Sequence, residues 1–256
     1  MSGTYAALGF LGAWVGYGMA LSGDWRPTAE ALTAAAGFRV QSIEIQGLAE
    51  SDSTEIVDRI DVTAQSSLMM LDVERARQRV AEIPWVSDVS VKKLYPHRIV
   101  VSLNERLPFA LWQDDGRLKV VDRTGAVMSE TILARHTALP LVVGTGANAR
   151  AEEAVDLMAS APSIRSRVRA AVLVAERRWN LVTVEGVEIR LPEEDPKAAL
   201  ARVAQLQATK RLLDRDIVAV DVRAADKLFV RLSDAAAEQR KEMNKARMPK
   251  KRGTDT

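Results

Sequence analysis

Cysteine is absent from the 256 residues, and histidine occurs only twice, at His97 and His136. The absence of cysteine excludes disulfide bonds, thiolate metal sites and cysteine nucleophiles, and two histidines leave little for metal binding or general-base chemistry. No P-loop, catalytic triad or zinc-binding helix motif occurs, and no two carboxylates are spaced so that they would converge. The sequence therefore predicts a protein that is not an enzyme and that uses no cofactor, metal or small-molecule substrate.

The excess of positive charge is small and confined to the end of the chain. The formal net charge is +2, and residues 234–256 hold seven Lys and Arg side chains against four Asp and Glu. A nucleic-acid surface needs a basic patch inside the folded region, which the sequence lacks, so no nucleic-acid partner is expected. This composition predicts that residues 234–256 form a basic disordered tail.

Residues 2–23 form the longest stretch without a charged side chain, and they are mostly apolar. As a helix, 22 residues span roughly 33 Å, about the thickness of a bilayer core, and Trp25 follows where an interfacial ring is expected. We therefore predict a transmembrane anchor over residues 1–23 and a juxtamembrane linker over residues 24–37. A cleaved signal peptide is the alternative, because Ala20-Leu21-Ser22 resembles a cleavage site, although no basic segment precedes the run.

Small side chains recur along one face of this predicted anchor, at Gly12, Gly16 and Ala20. Such a ridge lets a second membrane helix approach closely. The same spacing is common in membrane helices that have no specific partner, so both interpretations stay open.

Residues 38–106 alternate between strand and helix patterns. The order is one strand, two helices and two strands, with Asp52 and Asp72 as helix N-caps and a turn at Tyr95-Pro96-His97. This order predicts a compact α+β domain with both helices on one face of a sheet.

Strand patterns dominate residues 107–233. A two-residue turn at Glu185-Gly186 predicts a hairpin, and Asp195-Pro196 predicts the start of a helix that extends to about residue 213. We therefore expect a mainly antiparallel β domain with an embedded helix, separated from the first domain near residues 106–111.

A glycine-rich segment at residues 144–149 follows an apolar strand and precedes a plausible helix at 151–159, an order that imitates a dinucleotide-binding fingerprint. The nearest acidic residue after the following strand, Glu176, lies 32 residues beyond Gly144, whereas about 20 is expected. No further strand–helix units follow. A turn between two elements explains the segment better than a nucleotide site.

The ordered set of motifs resembles the FtsQ/DivIB family of bacterial cell-division proteins. The first domain resembles the family's polypeptide-transport-associated (POTRA) domain, and the second resembles its β domain. The motifs that resemble the POTRA domain are Leu71-Asp72-Val73, Ile83-Pro84-Trp85-Val86, Leu94-Tyr95-Pro96-His97 and Glu105-Arg106-Leu107-Pro108-Phe109-Ala110-Leu111-Trp112. Those that resemble the β domain are Val121-Asp122 with Gly125, residues 140–144, Arg178-Trp179-Asn180-Leu181, Leu191-Pro192-Glu193 and Val220-Asp221-Val222-Arg223.

Two features depart from the family pattern. The family's cytoplasmic segment is absent before the apolar run, so we expect that a segment upstream is missing from this sequence. The turn before the second helix reads Ala64-Gln65-Ser66-Ser67, where the family commonly has a glycine.

The resemblance implies a single-pass protein of the inner membrane with a cytoplasmic N-terminus and a periplasmic body at the division septum. It also implies small single-span partners of the FtsB and FtsL type, together with other division proteins. The FtsB-type partner is expected to add to the last strands of the β domain. That surface comprises Arg223, Ala224, Asp226, Lys227, Leu228, Phe229, Val230, Arg231 and Leu232.

The period of residues 227–232 agrees with an edge strand, because Leu228, Val230 and Leu232 alternate with Phe229 and Arg231. The residues alone are equally compatible with Phe229 packing within a small apolar cluster.

The alternative function is that of a POTRA-bearing export or outer-membrane assembly component. Such a protein carries several POTRA units and a C-terminal barrel, and this sequence shows one unit and a polar tail.

Overall fold

The computed structural model describes residues 25–49, 52–63, 65–224 and 226–247. They divide into two compact units, of which the first ends at Arg106 and the second begins at Leu107. The predicted anchor lies outside these residues, and so do Gly12, Gly16 and Ala20 of its predicted packing face. Within the described ranges, no helix has the length and apolar character needed to cross a bilayer.

Unit 1 begins with a helix that leads into a three-stranded sheet covered by two more helices. Its elements are α1 (Arg26–Thr33), which continues into a wider turn (Ala34–Phe38), β1 (Ser42–Gln46), α2 (Ser53–Ile60), α3 (Val73–Ala81), β2 (Val86–Leu94) and β3 (Arg98–Glu105). The segment predicted as a linker therefore contains α1, with Pro27 in its first turn, where the missing N–H breaks no helical hydrogen bond.

The predicted helix caps in unit 1 are confirmed. The Asp52 carboxylate accepts a hydrogen bond from the Thr54 backbone N–H at 2.9 Å, and Asp72 accepts one from the Arg75 N–H at 3.0 Å. Each cap satisfies a backbone donor that the first helical turn leaves without a partner. These two aspartates therefore determine where α2 and α3 begin.

One apolar face holds unit 1 together. The strand order is β1–β3–β2, with β1 parallel and β2 antiparallel to the central strand β3. Ile99, Val101 and Leu103 alternate along β3 and are buried, and they join one cluster with Ile56 of α2 and Val80 of α3. Both helices therefore pack on the same face, as the sequence pattern predicts.

The described part of unit 2 contains a nine-stranded sheet and four α-helices. Its strands are β4 (Ala110–Asp114), β5 (Arg117–Val121), β6 (Val127–Ser129), β7 (Leu141–Val143), β8 (Val168–Val174), β9 (Arg178–Thr183), β10 (Glu188–Arg190), β11 (Ile217–Asp221) and β12 (Phe229–Leu232). Its helices are α4 (Ala151–Ala159), α5 (Pro162–Arg165) and α6 (Pro196–Lys210). A further helix, α7 (Asp234–Arg247), follows the sheet.

The sheet of unit 2 is mixed. Five of its eight strand pairs are antiparallel, as the prediction of a mainly antiparallel domain requires, but α4 and α5 accompany the predicted helix α6. The strand order is β12–β11–β10–β9–β8–β7–β4–β5–β6, and the pairs β4–β7, β7–β8 and β10–β11 are parallel. A parallel pair needs a long crossover, and α4 with α5 supplies it for β7–β8 while α6 supplies it for β10–β11. Residue periodicity identifies strands but contains no information on their direction.

A row of facing side chains runs across this sheet and forms its core. Strand register places seven residues side by side on one face: Trp112, Val142, Ala171, Leu181, Ile189, Val220 and Val230. The five in the middle are buried completely, whereas Val230 at the end of the row is 38% exposed. The apolar row therefore reaches the surface at β12.

Two boundaries near the C-terminus differ from the sequence prediction. Strand β12 begins at Phe229 and not at residue 227, and a helix occupies Asp234–Arg247 where a disordered tail is expected. Ser233 gives this helix a start, because its hydroxyl accepts a hydrogen bond from the Ala236 N–H at 3.2 Å. The charged composition of this segment is compatible with a helix that is solvated on most sides.

Candidate protein-docking edge

Strand β12 forms one border of the large sheet. Among the residues that the structure describes, it pairs with β11 alone, with Val220 opposite Val230 and Asp221 opposite Phe229. A border strand has one row of backbone N–H and C=O groups that the sheet does not use, and such a row is a template for another strand. The segment that the sequence analysis assigns to partner binding therefore includes a sheet edge.

The direction of the peptide groups on β12 follows from the register. Val222 donates its N–H to the Arg190 carbonyl of β10 at 3.0 Å, so Ala219 and Asp221 of β11 direct their peptide groups toward β12. Their partners Phe229 and Arg231 therefore face into the sheet, and Val230 faces outward. The Ser233 N–H, bonded to Asp216 at 3.3 Å, continues this alternation and places Leu232 outward.

Two exposed apolar side chains flank this open row of peptide groups. Phe229 is 58% exposed and shares its face with Asp221, whereas Val230 is 38% exposed and ends the buried apolar row on the opposite face. An added strand would meet one apolar side chain on each face of the sheet. The edge therefore offers backbone hydrogen bonds and side-chain contacts that set the register.

An ion pair holds the chain where it leaves β11. Arg223 Nη2 lies 2.6 Å from Asp221 Oδ2. The Asp221 carboxylate also accepts a hydrogen bond from the Arg223 backbone N–H at 3.1 Å. The Arg223 guanidinium holds the pKa of the Asp221 carboxyl below its ordinary value. This pair stiffens the start of the segment that leads to β12.

A groove of about 820 Å³ lies beside the end of β11. It is lined by positively charged, negatively charged and apolar side chains. Arg223 and Val222 form one side of it, and the first turn of α6 forms another. Its remaining residues are Arg177, Arg178, Pro192, Glu193, Glu194, Asp195, Ala198, Ala199 and Arg202. The groove and the edge share the segment around Arg223, so they form adjoining surfaces of unit 2.

The predicted binding residues separate into three groups. Phe229, Val230 and Arg231 are exposed on the edge strand, whereas Leu228 and Leu232 are half-buried against the core of unit 2. The remaining predicted residues precede the strand in the connecting segment: Arg223, Ala224, Asp226 and Lys227. The predicted one-faced burial holds for Leu228 and Leu232, but Val230 on the same face is exposed.

No local sequence pattern places Arg178 and Arg202 at this surface. Arg178 begins β9, and its buried Nε has no hydrogen-bond partner within the described residues. Arg202 lies on α6 and donates to the Val222 carbonyl at 3.4 Å. The arginine pair at positions 177 and 178 was a visible signal, but only the fold shows that it approaches Arg223.

Two family models match this chain, one in each unit. A model of the FtsQ-type POTRA domain matches residues 38–106, and a model of the C-terminal part of the cell division protein FtsQ/DivIB matches residues 110–223. The second match ends at Arg223, so strand β12 lies beyond it.

Several curated relatives are similar over most of the chain, and each carries the name cell division protein FtsQ. The relative from Bradyrhizobium diazoefficiens is 43% identical over 223 residues, which are 87% of this chain and 65% of that protein. The relative from Rhizobium meliloti is 39% identical over 93% of this chain and 77% of its own length. The relative from Agrobacterium fabrum is 37% identical over 93% of this chain and 75% of its own length. The chain thus spans about two thirds to three quarters of these proteins.

Proposed function

Because the chain belongs to the FtsQ/DivIB family of cell-division proteins, we propose that it is a membrane-anchored scaffold of the division machinery. In this role its folded body lies in the periplasm and links early and late division proteins at the septum. The scaffold works by binding other proteins and not by catalysis. Its partners are small single-span division proteins of the FtsB and FtsL type.

The open edge of β12 is the single observation that carries this proposal. Val230 directs its peptide group out of the sheet, and Phe229 and Val230 expose apolar side chains beside it. We propose that a segment of an FtsB-type partner adds there as a tenth strand. Backbone pairing provides affinity in this mode, and the outward side chains fix which register is bound.

A membrane anchor makes such an edge effective even when its intrinsic affinity is moderate. We propose that residues 2–23 hold the protein in the inner membrane, so that the body is restricted to a thin layer next to it. Partners that are also anchored share this layer, and their effective concentration rises accordingly.

A first prediction concerns the anchor. We expect the protein to stay with the membrane fraction through high-salt and carbonate washes, because an apolar run of bilayer length is released only by detergent. Mass spectrometry of the membrane-bound protein should show that residues 2–23 are retained. A soluble form that starts near Gly23 would show that the run is a cleaved signal peptide.

A second prediction concerns the exposed aromatic ring. Phe229→Glu should weaken capture of the partner's periplasmic segment roughly thirtyfold, since the loss of an aromatic anchor at an interface costs about 2 kcal/mol. Val184→Glu is the matched control, because Val184 is 63% exposed in the β9–β10 connection and receives the same charge. The measurement is a pull-down titration, with circular dichroism to compare folding.

Equal binding by a folded Phe229→Glu variant and the parent would show that Phe229 is not part of the interface.

The export and outer-membrane assembly alternative has less support, since the POTRA match is to the FtsQ type and the second unit matches the FtsQ/DivIB model.

A further inference from the structure

Large apolar side chains are exposed at one end of unit 1. Within the part of unit 1 that the structure describes, five such residues are more than two-fifths exposed: Trp25, Leu32, Met69, Leu94 and Tyr95. Exposed apolar residues are ordinary when they are scattered singly, but a group of them marks a contact surface. We refer to these five residues as the apolar end.

Short contacts connect the segments that carry these residues. The Tyr95 ring meets Phe38 edge to face at 6.2 Å between centroids, and Lys93 Nζ donates to the Met69 carbonyl at 3.1 Å. The 66–69 loop is bonded to the same place, because the Leu68 N–H donates to the Phe38 carbonyl at 2.7 Å. Met69, Leu94 and Tyr95 therefore lie close together at this end of unit 1.

Helix α1 is fastened to this loop through Ser67. The Thr33 hydroxyl and the Ser67 hydroxyl are 2.7 Å apart, and a carboxylate oxygen of Glu30 accepts a hydrogen bond from the Ser67 N–H at 3.3 Å. Trp25 is the N-cap of α1 and has helical backbone angles, so Leu32, seven residues later, lies on the same side of the helix. Both remain exposed, at 52% and 62%.

Basic residues are interspersed with the apolar ones. Lys92 and Lys93 precede Leu94 directly, and Arg26 and Arg39 stand near the two ends of the segment that contains α1. Lys92, Arg26 and Arg39 are exposed. Aromatic rings, aliphatic side chains and long basic side chains form the combination that enters the headgroup region of an anionic bilayer.

We propose that the apolar end of unit 1 docks on the surface of the same bilayer that holds residues 2–23. The inference rests on the proposed anchor, because the apolar run ends two residues before Trp25 and so delivers the chain to this end of the unit. Docking at this end orients unit 1 relative to the bilayer. The ligand is an anionic phospholipid surface.

The test uses the absence of native cysteine, which makes single labelling sites specific. The full chain is reconstituted into vesicles that contain phosphatidylglycerol, with an environment-sensitive fluorophore on Met69→Cys, Ser87→Cys or Ala13→Cys. Met69 lies in the apolar end, Ala13 lies in the predicted anchor, and Ser87 is exposed at the far end of β2. Seven residues of strand, roughly 24 Å, separate Ser87 from Leu94. Quenching by brominated lipid reports contact with the bilayer.

We expect lipid quenching at positions 69 and 13, and no quenching at position 87. The double variant Leu32→Ser and Leu94→Ser should reduce quenching at position 69 severalfold while circular dichroism stays unchanged. Adding salt or omitting phosphatidylglycerol should reduce quenching at position 69 but not at position 13, because the anchor does not depend on charge.

The two proposals fail in different ways. Quenching at position 13 without quenching at position 69 overturns the docking and leaves the anchor standing. Quenching at position 69 alone supports docking and contradicts the anchor, and no quenching at either position overturns both. A blue-shifted but unquenched fluorophore at position 69 means that protein covers the apolar end, which overturns lipid as the ligand.

Discussion

Replacing Gly47 with alanine should unfold unit 1 at a much lower urea concentration than the parent. Gly47 follows β1 with φ at +86°, and a Cβ built there would lie 2.0 Å from the backbone carbonyl oxygen of Leu103. The central strand cannot move away from that position without breaking the core around Leu103. The combined strain and overlap should cost about 4 kcal/mol, a large part of the stability of a small domain.

Gly37→Ala separates the two causes of this loss of stability, which are backbone strain and steric overlap. Gly37 also has positive φ, at +99°, but nothing lies within 4 Å of the Cβ that alanine would add. Only the backbone strain remains there, so the expected cost is about 1–2 kcal/mol. Limited proteolysis across a urea series distinguishes the two units, and unit 2 should resist proteolysis equally in all three proteins. Equal losses at the two glycines would show that the approach to Leu103 is not tight.

Replacing Val230 with proline should weaken partner capture at least a hundredfold while the domain stays folded. The outward N–H of Val230 is not needed by the sheet, and proline is tolerated on an edge strand when its nitrogen faces away from the neighbouring strand. The substitution removes one intermolecular hydrogen bond and places ring atoms where a partner strand would approach. The loss of the bond alone costs about 1 kcal/mol, and the steric block adds to it, so we expect at least a hundredfold weaker capture.

Val230→Thr is the matched control, because threonine keeps the N–H and the branched shape. It should bind within about threefold of the parent, since only one methyl group is exchanged for a hydroxyl. Near-ultraviolet circular dichroism should show intact packing of Trp179 in both variants, because that residue is buried in the core. Capture by a folded proline variant at the parent level would exclude this edge, and helix α6 would be the next candidate surface.

Local sequence signals predicted the elements of unit 1 well. Asp52 and Asp72 each follow a loop and precede apolar residues at helical spacing, and each caps the helix that it predicts. The turn at Tyr95-Pro96-His97 joins two strands of period two, which pair in the structure. These features depend on neighbours within a few residues, so the sequence contains them directly.

The sheet of unit 2 was harder to predict because its pairings connect distant parts of the chain. Trp112 lies opposite Val142, and Leu181 lies opposite Ala171 and Ile189. The strand–helix–strand order around the glycine-rich segment does form a parallel pair, β7 and β8, although no doubly wound sheet follows. Period alone identifies which residues are buried, but it does not identify which strands are neighbours.

The candidate docking edge was likewise predictable only where it depends on local sequence patterns. The alternation at residues 228–232 indicated a strand, and the structure places it at the border of the sheet. The approach of Arg178 and Arg202 to Arg223 depends on the packing of β9 and α6 beside β11, which no local pattern contains. Residues from three elements therefore form a surface that only the tertiary structure reveals.

Hydrogen exchange at single-residue resolution tests the central claim, strand addition at β12, most directly. The full chain is measured alone and with a saturating concentration of the periplasmic segment of an FtsB-type partner. The outward amides of Val230 and Leu232 should exchange at least tenfold more slowly in the complex, whereas Phe229 and Arg231 should change little because β11 already protects them. Saturated binding with unchanged exchange at Val230 and Leu232 would contradict strand addition at this edge.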